Sequence, residues 1–155
     1  MSKPALYDDL IMDHIKNARN YREIDSPDHT AVGENPLCGD ELRMFVRLDE
    51  NDRLADVAYQ CTCCGITMAS ASLMTEHVKG RSIEEVAGMT RAFGALDGTG
   101  SSASSPDPIV QTVLEIARQY PARQRCAALP WDTLGRLLDR LPHSPGGGSS
   151  RQGLA

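Results

Sequence analysis

Between residues 41 and 79 the spacing of apolar residues changes from alternation to a helical repeat, and cysteines cluster at the change. Leu42, Met44, Val46 and Leu48 alternate with Arg43 and Arg47, the pattern of a strand with one face buried. Residues 49–52 form an acidic turn, and residues 54–61 are β-branched and aromatic enough to be the returning strand of a hairpin. From there Ile66, Ala69, Ser70, Leu73, His77 and Gly80 share one helical face, nearly all of them small or apolar, which predicts a buried helix. A hairpin running into a buried helix restricts the chain to a sheet covered by helices.

The remaining segments agree with that architecture. Leu6, Leu10, Ile11, His14 and Ile15 recur at helical spacing, with Asp8, Asp9 and Asp13 between them, so residues 6–16 read as a helix. Residues 17–36 are polar and carry Pro27, Gly33 and Pro36, which predicts loop with at most a short strand. Ser82 followed by Glu85 forms a capping box opening a further helix. Residues 94–105, rich in Gly and Ser, read as a mobile loop, 107–119 and 131–141 as helices, and 143–155 as a disordered tail. The expected fold class is α+β, a small antiparallel β-sheet packed by helices, in one domain over residues 1–142. The 155 residues suit one domain. With 41% hydrophobic but only 5% aromatic residues, its core must be built from Leu, Ile, Val, Met and Ala.

A net charge of −5 argues against nucleic acid, which needs clustered cations, and against an anionic membrane surface. No apolar run approaches the roughly 20 residues that span a bilayer. The amphipathic, acidic start lacks a signal-peptide core, so the expected compartment is the cytoplasm. There thiols stay reduced, and cysteines more often bind metal or react than form structural bridges. Five cysteines, an odd number, also speak against a complete disulfide framework.

Each main thiol falls at a junction between elements. Cys38 lies between Pro36 and Gly39, with Asp40 two residues on, so both side chains can reach one ion. Cys64 stands where a strand ends and a helix begins, and a helix N-terminus favours thiolate. Cys126 follows Arg123 and Arg125, whose charges favour thiolate too. Three thiolates and a carboxylate suit tetrahedral zinc, and soft sulfur also suits iron–sulfur chemistry. The spacing is not a repeated CxxC pair. Read by themselves, these cysteines are either a metal site or small buried hydrophobes.

Sequence motifs bear on that choice. Residues 35–40, Asn-Pro-Leu-Cys-Gly-Asp, resemble the NPxCGD signature of the IscU/NifU-type iron–sulfur assembly family. Residues 6–20 resemble that family's first helix, 64–72 its second cysteine motif, and 121–127 its third. The resemblance runs from about Leu6 to Leu141 with the motifs in order, and is closest in kind to the SufU branch. Arg125 stands where scaffold-type members carry histidine, and the chaperone-binding Leu-Pro-Pro-Val-Lys motif is absent. The resemblance implies a metal held by Cys38, Asp40, Cys64 and Cys126, zinc as the ion, and sulfur accepted from a SufS-type cysteine desulfurase for downstream iron–sulfur assembly proteins. Iron or an iron–sulfur cluster is the other implied occupant. Departures are Cys61 and Cys63, Ala18 in place of a usual proline, and Pro130, tolerable only where the last helix begins near Cys126 or bends.

Three functions follow: a zinc-dependent sulfurtransferase whose acceptor is Cys38, a scaffold for a nascent cluster, and a purely structural zinc module. Cys38 is expected to accept the sulfur because its loop can swing toward a partner, whereas scaffold-type relatives suggest Cys126. Arg123 and Arg125 would tune Cys126 or touch a partner. Cys61 and Cys63 share strand parity with Val57 and Tyr59 and read as packing residues, the rival reading being an extra thiol that relays sulfur or replaces a ligand. His14 and His77 read as packing residues, and His29 and His143 as solvated.

Overall fold

The structure, a computed structural model, describes residues 5–35, 39–95 and 107–141. Helix α1 (Ala5–Lys16) is followed by three strands, β1 (His29–Asn35), β2 (Asp40–Leu48) and β3 (Leu54–Thr62), and by helices α2 (Gly65–Val78), α3 (Ile83–Arg91), α4 (Pro108–Gln119) and α5 (Gln124–Asp139). The strands form one antiparallel sheet in the order β1-β2-β3. The expected α+β architecture is therefore present.

Strand alternation sorts the side chains as the pattern requires. Leu42, Met44 and Val46 of β2 and Val57 and Tyr59 of β3 are wholly buried on the inner face, where α2 and α5 pack. The outer face is covered locally: Ile24 meets Phe45 and Ala58, while backbone bonds from Asn20 and Arg22 to Tyr59 lay the 17–28 segment along β3. Segment 17–36, read as mostly loop, thus ends in a seven-residue strand. That strand exists through its pairing with β2, which local polarity does not reveal.

Helix α5 crosses β1 at Gly33. A Cβ there would meet the Thr133 hydroxyl, so only glycine lets the helix lie this close. The helix begins at Gln124, seven residues ahead of the expected Trp131, and Pro130 sits in its interior. Proline has no N–H to offer the Cys126 carbonyl four residues back. The helix continues because residues 126–131 are all buried, and that packing outweighs the proline penalty. Phe93 stacks on Trp131 at 4.5 Å between ring centres.

Helix α2 is buried on most of its circumference, including Thr67, Ser70, Ser72 and Thr75. Polar groups in such a place need partners. The Ser70 hydroxyl donates to the Ala127 carbonyl at 2.6 Å and accepts from the Trp131 indole at 3.0 Å, tying α2 to α5. His14, expected to pack, is buried with Nδ1 2.6 Å from the Ser72 hydroxyl, and burial holds its imidazole below the usual range. His77 corrects the packing expectation: it is exposed and hydrogen-bonds the Leu73 carbonyl of its own helix. His29 opens β1 instead of lying in a loop and is half-buried.

Ser82 caps α3 by accepting from the Glu85 N–H at 3.1 Å, the expected half of the capping box; the Glu85 carboxylate approaches Arg81 at 3.5 Å. The expected loop at 94–105 lies largely, and the tail at 143–155 wholly, outside the described residues. Among those described, no helix is long and apolar enough to cross a membrane.

Ser70→Ala is expected to destabilise the fold by about 1–3 kcal/mol, because it leaves the buried Trp131 indole N–H without a partner and removes the second hydrogen bond of the Ala127 carbonyl. Chemical denaturation measures this, and a loss near zero would show that α2 and α5 are held by apolar packing alone.

Candidate metal centre

The inner face of the sheet ends in a row of polar residues. Asn35, the last residue of β1, pairs in register with Asp40, the first of β2. Both side chains point inward and both are buried. The connection between them closes with the Gly39 N–H donating to the Asn35 carbonyl at 2.9 Å, and Gly39 has φ of 74°, a left-handed angle that glycine adopts without strain.

Asp40 reaches across to the start of α2. Its Oδ1 accepts from the Cys64 N–H at 3.1 Å, and its Oδ2 accepts from the Thr67 hydroxyl at 2.8 Å. Cys64 is the N-cap residue of α2 but makes no side-chain cap of its own. The carboxylate from β2 thus supplies the anion that a helix N-terminus favours. The Cys64 sulfur stays half-buried, 3.5 Å from the Thr67 hydroxyl.

Cys126 arrives from the first turn of α5 and is wholly buried. The Asn35 amide donates to its sulfur at 3.9 Å. Asp40, Cys64 and Cys126 each bring one ligand atom, and these atoms all lie within 4.8 Å of one another. Two sulfurs and a carboxylate oxygen at that spacing are the donor types of a zinc site.

Three of the four residues expected at the site therefore converge. The fourth, Cys38, lies outside the described residues, although its chain neighbours Asn35 and Asp40 are both at the centre. Arg123 and Arg125 are exposed while Cys126 beside them is buried. Cys61 packs against the core as expected, but it is only half-buried, as is Cys63, and the two sulfurs are joined to each other, which the packing expectation did not include. On β2 the buried inner row continues to Asp40, whereas on β3 full burial ends at Tyr59 and leaves Cys61 and Cys63 partly accessible. Two residues escaped sequence reasoning, Asn35 and Thr67, which orient Cys126 and Asp40. Asn35 opens the cysteine motif, and Thr67 is three residues past Cys64, where a side chain faces the helix start.

Comparison with known proteins places this geometry. The profile of the NifU-like N-terminal domain matches residues 6–127. The chain belongs to the NifU-like N-terminal domain family. A Bacillus subtilis relative named zinc-dependent sulfurtransferase SufU is 37% identical over 131 residues, covering 84% of this chain and 87% of that protein. A Streptococcus pyogenes relative named iron–sulfur cluster assembly scaffold protein IscU is 28% identical, covering 87% and 84%. Among solved structures, a putative iron–sulfur cluster assembly scaffold protein for the SUF system from Fervidobacterium islandicum superposes with a TM-score of 0.73. It is 27% identical, with coverage of 88% of this chain and 99% of that one. A NifU-like N-terminal protein from Brucella abortus shares the fold at a TM-score of 0.75, 20% identity, and coverage of 90% and 96%.

Thr67→Val removes the hydroxyl that orients Asp40 while keeping the side-chain volume. It is expected to weaken zinc retention by about tenfold or more, as outer partners of metal ligands do. Competition with a chromophoric chelator reads this directly, and unchanged retention would remove Thr67 from the centre.

Proposed function

We propose that this chain accepts persulfide sulfur from a SufS-type cysteine desulfurase and carries it toward iron–sulfur cluster assembly, as a zinc-dependent sulfurtransferase of the cytoplasm. The observation that carries the reading is the convergence of Asp40, Cys64 and Cys126 within 4.8 Å at the start of two helices. Cys38 completes the set as a third thiol, since it stands two residues from Asp40 in the connection closed by Gly39. The SufU name of the Bacillus relative supports zinc as the ion. Zinc bound there supplies a charge that keeps the thiols deprotonated.

Cys38 is the acceptor. Its sulfur attacks the outer sulfur of the desulfurase persulfide, a new S–S bond forms on Cys38, and the desulfurase cysteine leaves as thiolate. Cys126 is a poorer candidate because it is wholly buried, with α5 and Asn35 around it. Cys64 is fixed by its backbone bond to Asp40. Among the described residues nothing lies within 4 Å of where a Cβ on Gly39 would stand, which agrees with a connection that a partner protein can approach. Exposed Arg123 and Arg125 lie at the same end of α5 and offer cationic contacts to that partner.

The scaffold reading, in which these ligands hold a nascent cluster, draws on the IscU-named relatives. Metal analysis after anaerobic purification separates the two, with zinc near one per chain favouring the sulfurtransferase and a coloured, labile cluster favouring the scaffold. Mass spectrometry of the protein after exposure to desulfurase and cysteine should locate one added sulfur on Cys38, absent from Cys38→Ala. A persulfide on Cys126, with Cys38→Ala still accepting sulfur at the normal rate, would overturn the assignment.

A further inference from the structure

The joined sulfurs of Cys61 and Cys63 stand at the end of β3, and Cys63 is bonded through its peptide to Cys64. Cys61 pairs with Leu42 and Thr62 with Glu41, the residue next to Asp40, and Cys63 directly precedes Cys64, whose N–H donates to Asp40. Cys61 therefore lies on the inner face and Cys63 adjoins the centre through Cys64. Their half-burial leaves them open to a small reactant.

This pair is ill suited to a structural role. A bridge spanning two residues closes the shortest of loops, and stabilisation by cross-linking grows with loop length. In a reducing compartment such a bridge opens and closes with the redox chemistry around it. The surroundings hold its backbone steady meanwhile: the Tyr21 hydroxyl donates to the Cys61 carbonyl at 2.8 Å and accepts from the Cys61 N–H at 3.3 Å. The thiols can thus part and rejoin without moving the strand end.

We infer that Cys61 and Cys63 are a dithiol/disulfide pair that reduces the persulfide delivered to the neighbouring centre and releases its outer sulfur as sulfide. The inference rests on the sulfur-acceptor reading for the source of that persulfide. In the first step the Cys63 sulfur attacks the outer sulfur of the persulfide. The acceptor cysteine leaves as thiolate, and Cys63 now carries the sulfur. In the second step the Cys61 sulfur attacks the Cys63 sulfur. The Cys61–Cys63 bond forms, the bond to the outer sulfur breaks, and hydrosulfide leaves. The carried sulfur gains two electrons and the two thiols lose them. Of the two thiol protons, one leaves with the sulfide and the other returns to the acceptor thiolate. The joined sulfurs of Cys61 and Cys63 have the connectivity of the product of this step, and a cytosolic dithiol reductant resets the pair by exchange.

The test uses fully reduced, zinc-loaded protein and a desulfurase already charged with persulfide and freed of cysteine, with no added thiol. Wild type should release up to one sulfide per chain and acquire the Cys61–Cys63 disulfide. Cys61→Ser/Cys63→Ser should keep its sulfur as persulfide and release at least about tenfold less sulfide in the same time. Cys61→Ser alone should stall with the sulfur on Cys63, a readout that a merely structural pair would not give. Sulfur loading in both proteins with equal sulfide release would overturn the inference and leave the acceptor reading standing. If the desulfurase loads neither, the acceptor reading fails. The pair is then judged with glutathione persulfide, where equal release by wild type and double variant refutes it and release by wild type alone supports it.

Discussion

One hydroxyl sets the spacing of the candidate centre. Ser70 sits in the middle of α2 and bonds both to the carbonyl of Ala127, next to Cys126, and to the indole of Trp131. Cys64 is the N-cap of the same helix, six residues ahead of Ser70. Fixing α2 against α5 at this point fixes the two thiols relative to each other. A serine with its partners made costs little in a buried helix, but leaves no neutral alternative register, because sliding either helix would orphan the Ser70 hydroxyl and the Trp131 indole N–H together.

The sheet supplies the other half of the constraint. Asn35 and Asp40 are a cross-strand pair, so the hairpin between β1 and β2 delivers an amide to Cys126 and a carboxylate to the start of α2 in one step. Asp40 acts first as a folding element: it caps a helix whose own N-cap residue, cysteine, cannot. The group that secures the strand to the helix is thereby held where an ion can use it. This is a physical reason for the acid to stand beside the cysteine motif, apart from any need for a mixed donor set.

Much of this was legible in the chain. The alternation of β2 and β3, the switch to helical spacing at Cys64 and the cap at Ser82 are local signals, and each appears where the pattern puts it. Strand β1 was faint, because it is polar and exists through pairing with β2 over a short connection. The start of α5 was masked by Pro130, a local stop sign that burial of residues 126–131 overrides. The converging residues Asp40, Cys64 and Cys126 were readable through their motifs, but the parts of Thr67 and Asn35 were not. Their roles depend on which backbone and side-chain atoms the fold brings opposite them. Strand parity put Cys61 against the core, where it packs, but says nothing of how far burial extends along that face or that the two sulfurs meet.

The central claim is that Asp40, Cys64 and Cys126 share one ion with Cys38 as the remaining ligand. X-ray absorption at the zinc edge of the loaded, fully reduced protein measures that donor set. The account requires three sulfurs at about 2.3 Å and one oxygen at about 2.0 Å, falling to two sulfurs in Cys126→Ser. A shell of four sulfurs, placing Cys61 or Cys63 in the position of Asp40, or a shell unchanged by Cys126→Ser, would contradict it.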